Sequence, residues 1–227
     1  MKIPFYLILI GLLFQTHLYA QDTGEDQLGA WYEITSSNKI SKKLSLSASF
    51  TNWDYQLPAD KEHLLLGIVG LNYHFNNNVI VGAGYAYGDI DSTFDVNDIP
   101  HTKENRIIEQ LVLLHKSNKT SFSHRFRLEQ RFLQFPTENI LIHRIRYRFK
   151  VKFPLNKTLF ISTYDEIHFN LNEFDFQQNR VFAGLGIKIN KNINSELGYV
   201  RHSFKTKSFH RLSLQLNLKY DFRKKNN

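Results

Sequence analysis

The chain has no cysteine in 227 residues. That excludes disulfides and thiolate metal sites. It also excludes a lipid anchor attached through a cysteine behind the N-terminal apolar stretch. Methionine is nearly missing, with a single residue. The ten histidines are dispersed, and no H-x-x-x-H or H-x-H pair joins them, so a structural metal site is not expected. No G-x-S-x-G or other nucleophile motif is present. No cofactor is expected. Acids are the scarcer charge, 21 against 29 basic residues, for a formal charge of +8. A basic balance fits anionic lipid, an anionic ligand or nucleic acid.

Long apolar runs are lacking too, except at the start. Lys2 is followed by an apolar stretch from Ile3 to Phe14, then by Leu18-Tyr19-Ala20 before Gln21. This is the pattern of a secretory signal peptide over 1–20, too short to span a bilayer comfortably as a helix. The mature chain expected is 21–227, one domain. Export removes nucleic acid from the expected partners.

What the chain has is period-two alternation, in segments of up to about fourteen residues. Eleven can be marked: 28–34, 44–55, 64–75, 79–87, 106–116, 122–132, 141–153, 159–170, 180–189, 195–203 and 212–222. The seventh is the clearest. Leu141, Ile145, Tyr147, Phe149, Val151 and Phe153 share one parity with His143, while Arg144, Arg146, Arg148, Lys150 and Lys152 hold the other. The third is apolar on both parities. Short turns ("NNN", "SNKT", "PLNK", "NKNI") alternate with longer links, 56–63, 88–105, 133–140, 171–179 and 204–211. That asymmetry is the form of an outer-membrane barrel. Eleven is an awkward count, because bacterial single-chain barrels use even numbers. Either a short strand hides near the N-terminus, or 28–34 lies outside the wall.

A soluble barrel would also alternate, with its apolar parity inside. Three features favour the inverse. One parity stays apolar over a length that crosses hydrocarbon as a tilted strand. Tyr and Phe gather near segment ends, as interface girdles do. Segments in up-and-down order can close and leave no edge. The expected fold is therefore an all-β transmembrane antiparallel barrel of 10–12 strands, with an Arg/Glu-lined polar lumen. His124, Gln130 and His143 interrupt the lipid parity and belong near an interface.

The stretches "RFRLEQR", "RIRYRF", "YDEIHFN", "QNRVFAGLG" and "LGYVR", with "AWYEI" and "GAGYAYG", are similar to an uncharacterised bacterial family, domain of unknown function 2490. The resemblance covers essentially the whole mature chain. It implies an outer-membrane β-barrel and a signal peptide, and implies no activity. The usual terminal aromatic is displaced, since "RKKNN" follows Phe222.

The candidate constellation is a luminal charge network: Arg125, Arg127, Glu129, Arg131, Arg144, Arg146, Arg148, Glu166 and Arg180, with Glu109 as a possible flanking acid. It reads as a structural lattice filling a narrow lumen, or as a basic lining for anions. Glu166 is expected to balance Arg148 or Arg180. Glu166 and His168 share a face with Ser162, and His202 could join from another strand, an acid/base arrangement with poor triad geometry. The functional expectation is a non-enzymatic structural, binding or small porin-like pore protein. The alternatives are a narrow anion-preferring channel and a lipid- or lipopolysaccharide-modifying enzyme at Glu166 and His168. Expected partners are outer-membrane lipid and lipopolysaccharide, and the barrel-assembly machinery during insertion, with the protein a monomer.

Overall fold

The computed structural model describes residues 24–94 and 100–223. The expected signal peptide and residues 95–99 of the 88–105 link lie outside the described residues. Eleven strands form one sheet: β1 Leu28–Lys39, β2 Leu44–Gln56, β3 Asp60–His74, β4 Val79–Ile90, β5 Thr102–Ser117, β6 Thr120–Gln134, β7 Asn139–Pro154, β8 Leu159–Asn170, β9 Asp175–Lys188, β10 Ile193–Phe204 and β11 Ser208–Asp221. The sheet closes on itself. Successive strands are antiparallel, and β1 lies parallel to β11 in unbroken register from Leu28↔His210 to Lys39↔Asp221.

That closure resolves the awkward count. Up-and-down order with an odd number must bring the first and last strands together parallel. No extra strand is needed among the described residues, and Leu28–Ile34 is inside the wall. The ladder then has no free edge, so every strand finds backbone partners on both sides.

The expected alternation of short and long links does not hold. Among the links of the β2–β3 end, only 91–101 is long; 57–59, 135–138, 171–174 and 205–207 span three or four residues. The strands run further at this end than their apolar parity does, because polar residues can still join the ladder. Thr102–Asn105 shows it, belonging to β5 rather than to a loop. We call this the loop end and the opposite one the turn end.

The pleat sorts the residues. Ile34, Phe50, Val69, Leu71, Ile107, Phe126, Ile145, Ile161, Leu185, Leu197, Leu212 and Leu214 all point outward and are exposed. Leu197 is 61% and Val69 58% exposed, values no water-facing strand needs. Outward aromatics form two belts. Tyr73, Phe75, Phe122, Phe149, Phe153, Tyr220 and Phe222 ring the turn end, several in mutual contact. Tyr32, Tyr85, Tyr87, Phe132, Phe169 and Tyr199 ring the loop end. Strands of 12 to 16 residues, tilted by about 40°, stand roughly 30 Å tall or more, enough for the apolar band of an outer-membrane barrel. The fold is of the outer-membrane β-barrel class.

The interruptions of the outer face sit where expected. His124, four residues from the turn end of β6, shares a hydrogen bond of 2.8 Å with the Tyr147 hydroxyl and stacks on His115. Gln130 and His143 face each other toward the loop end. Acids also stand on this face. Asp165 accepts from Asn179 Nδ2 at 2.5 Å. Glu109, near the middle of β5, is exposed between Ala83 and Leu128. Glu109 is therefore not a flank of the luminal network: its parity is opposite to that of Arg106.

An acid on the apolar band costs stability. Glu109→Leu should stabilise the lipid-inserted barrel by about 1 kcal/mol, read as a higher urea midpoint, whereas Leu214→Glu should lower that midpoint. A Glu109→Leu barrel that unfolds more easily would contradict the outward, apolar assignment of this face.

Candidate functional site in the barrel lumen

The inward residues of β6 and β7 are mostly charged, and β5 and β8 add acids and an arginine beside them. All nine residues of the expected network point inward. Register then decides who meets whom. Cross-strand neighbours put like charges opposite each other: Arg106↔Arg131, Arg127↔Arg146 and Arg125↔Arg148. Such pairs repel. Three glutamates, one step along the strands, absorb most of the repulsion.

Glu129 is the centre. It is fully buried, and Arg144 donates to Oε2 from Nε at 2.7 Å and from a terminal nitrogen at 2.5 Å. Arg146 reaches Oε1 at 2.7 Å, and Arg106 lies 3.5 Å away. Glu104 takes both prongs of Arg131, at 2.6 and 2.9 Å, and Arg106 Nε at 2.8 Å. Glu166 holds Arg125 at 2.6 Å and Arg146 at 2.9 Å. Arg146 therefore bridges two acids. Glu166 was expected to balance Arg148 or Arg180. Arg180 approaches only to 3.9 Å, and Arg148 makes no ion pair among the described residues.

Eight arginines thus surround three glutamates, and the surplus has a location. Arg127 makes no ion pair among the described residues; its Nε donates to Gln110 at 3.0 Å, Gln110 donates to Asn72, and Asn72 to Ser47. Arg148 lies 5.5 Å from the Tyr164 ring, its Nε buried without a hydrogen-bond partner. Arg180 sits 4.5 Å above Trp53, which packs on Trp31. Toward the turn end, Lys150 and Lys152 share the buried carboxylate of Glu196.

The opposite wall is different. Thr35, Ser45, Ser47, Ser49 and Thr51 of β1 and β2 point inward with side chains too short to cross the lumen. A cavity of about 590 Å³ is left between the walls. Its lining extends from Lys207 and Phe209 at the loop end to Ser37 and Lys219 at the turn end. The lumen is therefore less filled than the sequence implied. At the loop end Tyr55 stacks on His63 and meets Phe94 and Phe209. Arg211 donates to His63 Nδ1 at 2.7 Å. The register shift between β2 and β3 leaves His63 as the extra residue here.

The acid/base candidates are tied into the lattice. His168 Nδ1 contacts Gln178 at 2.8 Å, and its Nε2 lies 3.5 Å from Glu166. His202 bonds Gln178 rather than Glu166 or Ser162. Ser162 is six residues from His168 on β8, about 20 Å along the strand. Glu166, His168 and Ser162 are at most 2% exposed. These residues do not assemble into a triad.

Sequence reasoning missed Glu104, Glu196 and Arg211. Glu104 and Arg211 had been placed in links, yet each shares the parity of luminal residues further along its strand. It also missed the inner apolar cluster of Trp31, Trp53, Leu64, Leu66, Ile108, Phe182 and Val200. The apolar double parity of the third segment was its signal.

A family model described as a protein of unknown function, DUF2490, matches residues 28–223. No curated protein matches the chain. Two solved structures are similar. The translocator domain of the autotransporter NalP from Neisseria meningitidis is 11% identical, with a TM-score of 0.44 over 76% of this chain and 72% of that one. LpxR from Salmonella typhimurium is 8% identical, with a TM-score of 0.47 over 78% of this chain and 83% of that one.

Removing the central acid strands buried cations. Glu129→Gln should cost about 3–5 kcal/mol, the scale for breaking a buried pair by deleting one partner. The loss of the folded, fast-migrating band on unheated gels at lower urea checks it. An unchanged midpoint would show that the lattice contributes nothing to stability.

Proposed function

The chain belongs to the DUF2490 family, and on that premise we propose that it is an outer-membrane barrel of the binding or small-pore type, with a lumen that prefers anions. The observation that carries the reading is the cavity along the lumen, with Arg127 and Arg148 on its wall and neither in an ion pair among the described residues. Cations that line a confined passage raise the local anion concentration and repel cations.

The setting follows from the outer face. An apolar band between two aromatic belts suits a bilayer, and residues 1–20 supply the export signal that an outer-membrane destination requires. Outer-membrane lipid and lipopolysaccharide then surround a monomer, and the barrel-assembly machinery inserts it. The lipid-modifying alternative fits the geometry less well. Glu166 has an arginine on each carboxylate oxygen, and both Glu166 and His168 point away from lipid, behind a closed wall.

Planar-bilayer recording under a KCl gradient tests the proposal. The wild-type barrel should give small steps with a reversal potential of anion-selective sign. Arg127→Ala with Arg148→Ala should move that potential toward zero. Cation selectivity, or no conductance from a barrel that shows heat-shifted gel mobility, would contradict the pore.

A further inference from the structure

The proposed anion preference leaves the anion undefined, and the two walls narrow it. Arg127 and Arg148 are diagonal neighbours on β6 and β7, opposite Arg146 and Arg125 respectively, and neither makes an ion pair among the described residues. Lys150 follows on β7, one step toward the turn end, sharing Glu196 with Lys152. The Arg148 Nε is buried and lacks a hydrogen-bond partner. All three side chains line the cavity. This is more positive charge than one carboxylate or one chloride would offset. A phosphomonoester brings nearly two charges and three acceptor oxygens, and guanidinium forks match that geometry.

Across the cavity the chemistry changes. Ser47, Ser49 and Thr51 point into the same space from β2, and Asn72 joins them. Neutral hydroxyls and amides recognise hydroxyls, not hydrocarbon. Every strand is paired on both sides, so the wall has no lateral opening toward lipid. A ligand enters through an aqueous mouth.

We propose that this part of the lumen binds a water-soluble phosphomonoester of a hydroxylated molecule, such as a sugar phosphate, with the phosphate at Arg127, Arg148 and Lys150 and the hydroxyls toward Ser47 and Ser49. The inference rests on the anion-preferring reading of the same lumen.

The protein carries its own reporter. Its two tryptophans, Trp31 and Trp53, both line the cavity, with Arg180 over their rings. The refolded mature barrel in neutral detergent is titrated with glucose 6-phosphate, glucose, inorganic phosphate and short-chain phosphatidic acid at constant ionic strength, reading tryptophan fluorescence. Glucose 6-phosphate should give a saturable change, and glucose none. Inorganic phosphate should bind more weakly. Arg127→Ala with Arg148→Ala should weaken the sugar phosphate by about tenfold or more. Ser49→Val, outside the hydrogen-bond chain that runs from Ser47 through Asn72 and Gln110 to Arg127, should reduce the preference over inorganic phosphate. Heat-shifted gel mobility establishes that each variant is closed. A response to phosphatidic acid alone would overturn the soluble ligand. Equal affinity for phosphate and sugar phosphate would overturn the role of the hydroxyl wall, and no saturable response would overturn the site. Binding is read without transport, so a barrel that conducts but does not bind loses this inference alone. One that binds without conducting loses only the pore.

Discussion

The structure depends on one constraint: a closed backbone ladder fixes which parity of every strand faces in. Side chains alternate with period two, so a slip of one residue would send a whole row of arginines into the apolar band. Closure prevents the slip cooperatively. Each strand is pinned by two neighbours, and β1 and β11 complete the ring over twelve paired positions. Interior and exterior chemistry follow from that register.

The interior is then a problem in electrostatics rather than in oil. Guanidinium groups are forced opposite each other by register, and the glutamates act where they do because they sit one pleat away on the same faces. Glu129 gathers Arg106, Arg144 and Arg146, and Glu166 links Arg146 to Arg125. Fork geometry lets one carboxylate serve several arginines, and three glutamates so hold Arg106, Arg125, Arg131, Arg144 and Arg146. Aromatic faces take part of what remains, at Tyr164 for Arg148 and at the Trp31–Trp53 pair for Arg180. Glycine shapes the other interior fillings. At Gly186 the Phe160 ring occupies the place a Cβ would take, which lets the ring lie flat on the wall of β9. Such fillings crowd one side of the lumen, and the short hydroxyl residues of β1 and β2 leave the other open.

Much of this was legible in the residues. The alternation in Leu141–Phe153 and Leu212–Phe222 announced both strand and orientation, and the nine charged residues of the network were placed on the correct face. Partners were not legible, because parity tells direction and not reach. Arg146 bridging two acids depends on the stagger between β6, β7 and β8. Strand ends were misjudged where polarity was mistaken for a loop, at Glu104 and Arg211. Strand parity also places Glu109 outward. The parallel closure needed the whole ring, since no local pattern distinguishes the eleventh strand of an odd barrel from the last of an even one.

The absence of cysteine opens a direct route to the central claim. Single cysteines at successive positions 212–217 of β11, each spin-labelled in the bilayer-inserted barrel, report local oxygen and aqueous relaxant by electron paramagnetic resonance. Labels at 212, 214 and 216 should collide with oxygen from the lipid, and labels at 213, 215 and 217 should not, giving a strict alternation. Alternation of the opposite phase, with the odd positions in hydrocarbon, would contradict the account, as would six labels of equal accessibility.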